Sequence, residues 1–104
     1  ERKLILNNQY LMIKFTGHLI IIKFGTGNEG TSWMFNNNGI FNKIKNIRLK
    51  PLPQNGVREE GTVNNRMLYI DVYPQGHNHL RINISYVING KITLIQRDEQ
   101  VRAR

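Results

Sequence analysis

The hydrophobic pattern along the chain repeats every second residue. Leu11, Ile13 and Phe15 fall on one side of their segment and Met12 and Lys14 on the other. Thr31 to Asn36 puts Trp33 and Phe35 on one face and Met34 on the opposite one. In Met67 to Tyr73, Leu68, Ile70 and Val72 oppose Tyr69, Asp71 and Tyr73, and in His79 to Val87 the apolar set is Leu80, Ile82, Ile84 and Tyr86. A period of two is the signature of a strand with one buried face. The apolar run Leu19 to Phe24, interrupted by Lys23, predicts a strand buried on both faces. Residues 44–50 read as a further strand, since Ile47 and Leu49 alternate with Arg48 and Lys50; Ile40, Ile44 and Ile47 also fit helical spacing.

The connections follow from turn chemistry. Thr16-Gly17-His18, Asn37-Asn38-Gly39 and Pro74-Gln75-Gly76 mark turns. Pro51-Leu52-Pro53-Gln54-Asn55-Gly56 predicts irregular chain, continuing through Glu59-Glu60-Gly61 to Asn65. Asn89-Gly90 closes a hairpin. A three-residue loop there, Ile88-Asn89-Gly90, pairs Tyr86 with Ile92 and Ile84 with Leu94 and so keeps one face apolar. A two-residue turn would pair Ser85 with Leu94 and mix the faces. The expected architecture is therefore mainly β: one small antiparallel sheet or sandwich of about seven short strands in a single domain spanning 1–104, with at most one short helix.

Composition sharpens this picture. Ala occurs once, at Ala103, while Ile, Val and Thr together make 24 of the 104 residues, a balance against helix and for sheet. There is no cysteine, which removes thiolate metal sites and disulfide staples. The longest aliphatic stretch, Leu19-Ile20-Ile21-Ile22, is far shorter than a membrane-spanning helix requires. The chain opens at Glu1 rather than Met, as expected of a processed or trimmed chain. The net charge of +8 favours an anionic partner: nucleic acid, anionic lipid or an acidic protein face. The basic residues group in two stretches, Lys43, Lys45, Arg48 and Lys50, and then Arg97, Arg102 and Arg104. These seven are the candidate nucleic-acid contacts, set against a plain solvated face that keeps a small β domain soluble. Tyr69 and Tyr73 share an outward face on which bases could stack.

Other chemistry is thinner. Gly25-Thr26-Gly27-Asn28-Glu29-Gly30 matches the dinucleotide-binding glycine pattern, but a strand follows it where that fold requires a helix, so it reads as a flexible hairpin loop. His77 and His79 could share a face of an extended segment. They are the alternative catalytic pair of a small, basic, metal-independent ribonuclease of toxin type, acting as general base and acid. No acidic residue stands close enough in sequence to complete a metal site with them, and no cofactor is expected. The simpler reading is a solvated hairpin loop.

Two segments resemble the C-terminal β domain of pilin-like proteins, the minor pilins and pseudopilins of type IV pili, type II secretion and competence systems. Trp33-Met34-Phe35-Asn36-Asn37-Asn38-Gly39-Ile40-Phe41-Asn42 is similar to their hydrophobic-Phe-Asn-x-x-Gly strand and turn. Arg81-Ile82-Asn83-Ile84-Ser85-Tyr86-Val87-Ile88-Asn89-Gly90-Lys91-Ile92-Thr93-Leu94 is similar to their closing hairpin. Together they cover about a quarter of the chain, in the family's order. The family's long apolar N-terminal helix is absent, as it would be from a chain cut after that helix. The resemblance implies a non-catalytic assembly subunit at the cell surface or outside the cell, with protein partners in a filament. In some competence-type members arginines near the C-terminus contact DNA, and Arg102-Ala103-Arg104 resembles that element. A structural or capsid-associated protein facing an acidic partner is a further possibility on charge alone.

Overall fold

A computed structural model of the chain describes residues 2–6, 8–16, 19–26, 30–36, 43–76, 79–97 and 102–103. Ten strands run in order: β1 Arg2–Leu6, β2 Gln9–Thr16, β3 Leu19–Gly25, β4 Thr31–Asn36, β5 Lys45–Leu52, β6 Gly56–Val63, β7 Arg66–Pro74, β8 Leu80–Ile88, β9 Lys91–Arg97 and β10 Arg102–Ala103. They form two antiparallel sheets, β1-β2-β3-β4-β10 (sheet A) and β5-β6-β7-β8-β9 (sheet B). Within each sheet successive strands are neighbours, so hairpins account for almost every pairing. The exception is β10, which returns to the β4 edge and pairs Arg102 with Ser32. The described residues contain no α-helix.

The inward faces of both sheets meet in one core. Leu11, Ile13, Ile20, Ile22, Phe24, Trp33 and Phe35 come from sheet A, and Leu68, Ile70, Val72, Leu80, Ile82, Ile84 and Tyr86 from sheet B. This is the two-layer solution for sheets with one apolar face each. The Tyr86 hydroxyl, carried into the core by its apolar ring, donates to the Val63 carbonyl at 3.1 Å.

The seven expected strands are present, joined by β1, β6 and β10. Several expectations are corrected. Leu19 to Phe24 is not buried on both faces: Ile20, Ile22 and Phe24 are fully buried, whereas Leu19 and Ile21 are half-buried and Lys23 is exposed. Its outward aliphatics belong to a solvent face of sheet A rather than to a second core. The stretch 51–65 is not irregular. Pro51 and Leu52 end β5, where an edge strand tolerates a residue without an N–H. Pro53, Gln54 and Asn55 turn the chain, and β6 runs from Gly56 to Val63. Asn64 and Asn65, both left-handed at φ 52° and 64°, then make a two-residue turn that pairs Val63 with Arg66. β6 escapes the apolar alternation because its inward positions include Glu59, 1% exposed, opposite Leu49 and Ile70, and Gly61, opposite Leu68.

The last hairpin also differs from expectation. Its loop is the two-residue Asn89-Gly90, with Ile88 paired to Lys91, Val87 to Ile92 and Ser85 to Leu94. Both turn residues have positive φ, 52° and 75°, the type I′ geometry that matches strand twist. Ile92 is left 66% exposed. A register shift opposite Ile84 and Ser85 inserts one extra residue into β9. For 40–47, the strand begins at Lys45; residues 40–42 lie outside the described chain, as do the turn residues 17–18 and the loop residues 27–29. β4 follows β3 as its antiparallel neighbour, which removes the strand–helix context a dinucleotide loop needs.

Candidate nucleic-acid interface

The solvent face of sheet B carries the densest arrangement of charge and aromatic rings among the described residues. The register sets it row by row. Lys50 lies opposite Arg58, Arg58 opposite Asp71, Asp71 opposite Asn83 and Asn83 opposite Arg97. In the next row Arg48 faces Glu60, Glu60 faces Tyr69 and Tyr69 faces Ser85. Lys45 is opposite Thr62, and Tyr73 opposite Arg81.

Local chemistry fixes the side chains within these rows. Arg58 donates its fork to Asp71, Nε to Oδ1 at 2.7 Å and Nη2 to Oδ2 at 2.9 Å, with the guanidinium 4.4 Å above the Tyr69 ring. The bond to Asp71 holds the Arg58 guanidinium protonated even above its ordinary range. Arg81 stacks over Tyr73 at 4.8 Å. Tyr73 can lie down on the sheet because its cross-strand neighbour is Gly56: a Cβ there would sit 2.6 Å from the ring. Glu60 is almost buried beneath Arg48 and Lys50, each 3.0 Å from the same carboxylate oxygen. The hydrogen bond and charge of Lys50, then those of Arg48, hold the Glu60 carboxyl below its ordinary range against the opposing cost of burial.

Two cations on one carboxylate, one neutralised Arg–Asp pair, and the exposed Lys45 and Arg81 leave the face with a positive excess. The rows therefore present cations beside planar groups, the complements of the phosphates and bases of a polynucleotide.

The seven sequence candidates divide. Lys45, Arg48 and Lys50 lie on β5 and join this face; Lys43 is exposed just before the strand. Arg97 falls on β9 by register, at the opposite edge of the same sheet, about 19 Å away at four strand spacings. Arg102 belongs to β10 on sheet A and is not brought to this face. Arg104 lies outside the described residues, as does His77. His79 is exposed where β8 begins, its ring 6.2 Å from Trp33. No group of three or more metal-ligating side chains occurs among the described residues.

Arg58 and Arg81 were not among the candidates. Arg81 carried a readable signal, since it alternates with buried Leu80 and Ile82. Arg58 carried none, because its strand lacks the alternation. No described helix is long and apolar enough to cross a membrane. Comparison of the chain with family models, with curated proteins and with solved structures yields no match, so the reading of this face rests on its own geometry.

Proposed function

We propose that this chain is a non-catalytic binding module that holds a nucleic acid or similar polyanion on the solvent face of sheet B. The observation that carries the reading is the convergence of Lys45, Arg48, Lys50, Arg58 and Arg81 around Tyr69 and Tyr73, with Glu60 and Asp71 as the opposing carboxylates among the described residues. Lys45, Arg48, Lys50 and Arg81 would take phosphates, which fixes the polymer without reading its sequence. Arg58 is held by Asp71 with its plane on Tyr69, so it offers a stacking surface and a fixed charge. Arg97 would extend the track to the far edge. A minor-pilin-type subunit that touches DNA at the cell surface is the setting the family resemblance suggests for such a module.

The test is fluorescence anisotropy of a labelled oligonucleotide against NaCl concentration. Affinity should fall steeply as salt rises, because each neutralised phosphate releases a counterion. Lys45→Gln should flatten the log–log slope by about 1 while leaving base composition without effect. An affinity that ignores salt would overturn the proposal.

A further inference from the structure

The solvent face of sheet A has a different chemistry from that of sheet B. Lys3, Met12, Lys23, Ser32 and Arg102 form one row by register across all five strands. Ile5, Tyr10 and Gly25 form a second, and Lys14, Ile21 and Met34 a third. Ile5 and Tyr10 are 67% and 62% exposed, and they border an open recess of about 250 Å³ with Asn8, Gln9 and Thr26. Met12, Ile21 and Met34 are half-buried, and Lys3, Lys14 and Lys23 are exposed. No carboxylate stands on this face among the described residues: Glu59 is in the core, and Glu60 and Asp71 are on sheet B. The positive residues on β1, β2 and β3 here are lysines, Arg102 joins them by register at the β10 edge, and the groups between the lysines are aliphatic and thioether chains with one phenol.

We propose that this face docks on an anionic lipid bilayer surface. The charge is complementary to phosphate headgroups. Lysine stems are long enough to lie along apolar surface while their ammonium groups reach the headgroup layer. Tyr10 and Ile5, paired across β1 and β2, supply an interfacial phenol and an aliphatic side chain for the boundary below it. A nucleic acid fits less well, since Met12, Ile21 and Met34 offer bases neither a donor nor a planar ring. A second copy of the same face would bring like charges together.

The test is co-sedimentation with vesicles of phosphatidylcholine alone and with about 30% phosphatidylglycerol, at about 20 and 200 mM NaCl. The protein should bind the anionic vesicles, more weakly at high salt, and leave the neutral ones. A Lys3→Gln, Lys14→Gln, Lys23→Gln variant should lose about 100-fold in partitioning, near 5-fold per lysine. The control is Lys43→Gln, Lys45→Gln, Lys50→Gln, which takes the net charge from +8 to the same +5 on the other sheet. It should bind vesicles within about 3-fold of the parent while its oligonucleotide affinity falls. Thermal melts of both variants establish that they are folded. Failure of the parent to bind anionic vesicles would overturn the inference, and so would equal losses in the two variants, which would assign binding to net charge alone. Self-association that the sheet A variant abolishes, without vesicle binding, would assign the face to a second copy and overturn it too. Oligonucleotide binding by the sheet A variant is read separately, so the two faces succeed or fail independently.

Discussion

Glu60 shows how a single carboxylate is used on a surface with too few of them. It is 4% exposed, yet it receives both Arg48 and Lys50. An isolated surface ion pair contributes little, but a carboxylate already immobilised between two strands loses less entropy on pairing. Its lowered titration range has a definite consequence for stability. A group depressed in the folded state contributes above its unfolded value, near 4.5, and that contribution disappears as pH falls through the folded value. Glu60→Gln should therefore be less stable than the parent at pH 7, and the difference should shrink on acidification below the ordinary glutamate range. Melting temperatures across an acid pH series would check it; a constant difference at every pH would show that the ion pairs carry none of the effect.

At the scale of the elements, turn chemistry and side-chain pattern compete, and the turn wins. Apolar pairing favours the longer loop in the β8–β9 hairpin, but Asn89-Gly90 imposes the tight turn, and the bulge opposite Ile84 and Ser85 absorbs the mismatch. The same turn type at Asn64-Asn65 uses asparagine at both positions. Glycine is preferred at the second, so Asn65→Gly should stabilise the chain by about 0.5–1 kcal/mol. Gly90→Ala should destabilise it by about 1 kcal/mol through backbone strain alone, since no atom lies within 4 Å of the added Cβ. Thermal melts would read each as a shift of roughly 4–8 °C per kcal/mol. Strands with a plain inside and outside, such as β7 with Leu68, Ile70 and Val72, were legible in the sequence. β6 was not, because Glu59 and Gly61 occupy inward positions where pattern reading demands aliphatics. The candidate interface was half legible for the same reason. Arg48, Lys50, Tyr69 and Tyr73 follow from alternation, whereas Lys45 joins them only through the bulge between it and Arg48, and Arg58 becomes visible only once β6 is known to be a strand. Alternation cannot say which strands share a sheet, and that is what separates Arg102 from the basic residues of β5.

Over the whole molecule the excess of cations sets an energetic problem that neither sheet solves by itself. The described carboxylates are concentrated in sheet B, with Glu60 and Asp71 engaged by Arg48, Lys50 and Arg58. Sheet A keeps Lys3, Lys14 and Lys23 on a face with no described counter-charge. The edge strand β5 adds a second use for its lysines. With a bulge between Lys45 and Arg48 and Pro51 near its end, it is poorly suited to pair with another chain. Like charges on a body with a radius of gyration of 13.0 Å lie within a few Debye lengths of one another, so repulsion acts across the entire fold. Salt has two opposing effects. It weakens the close pairs on sheet B only modestly, because Glu60 and Asp71 are largely removed from solvent. It screens the repulsion among the exposed cations far more completely. The second effect should dominate at a net charge of +8, so the melting temperature should rise between about 10 and 200 mM NaCl. The Lys3→Gln, Lys14→Gln, Lys23→Gln variant, with its repulsion already reduced, should melt higher than the parent at low salt and respond less to added salt. A parent whose melting temperature falls with salt would mean that the Glu60 and Asp71 networks outweigh the repulsion, and that the sheet A lysines are no burden to the folded state.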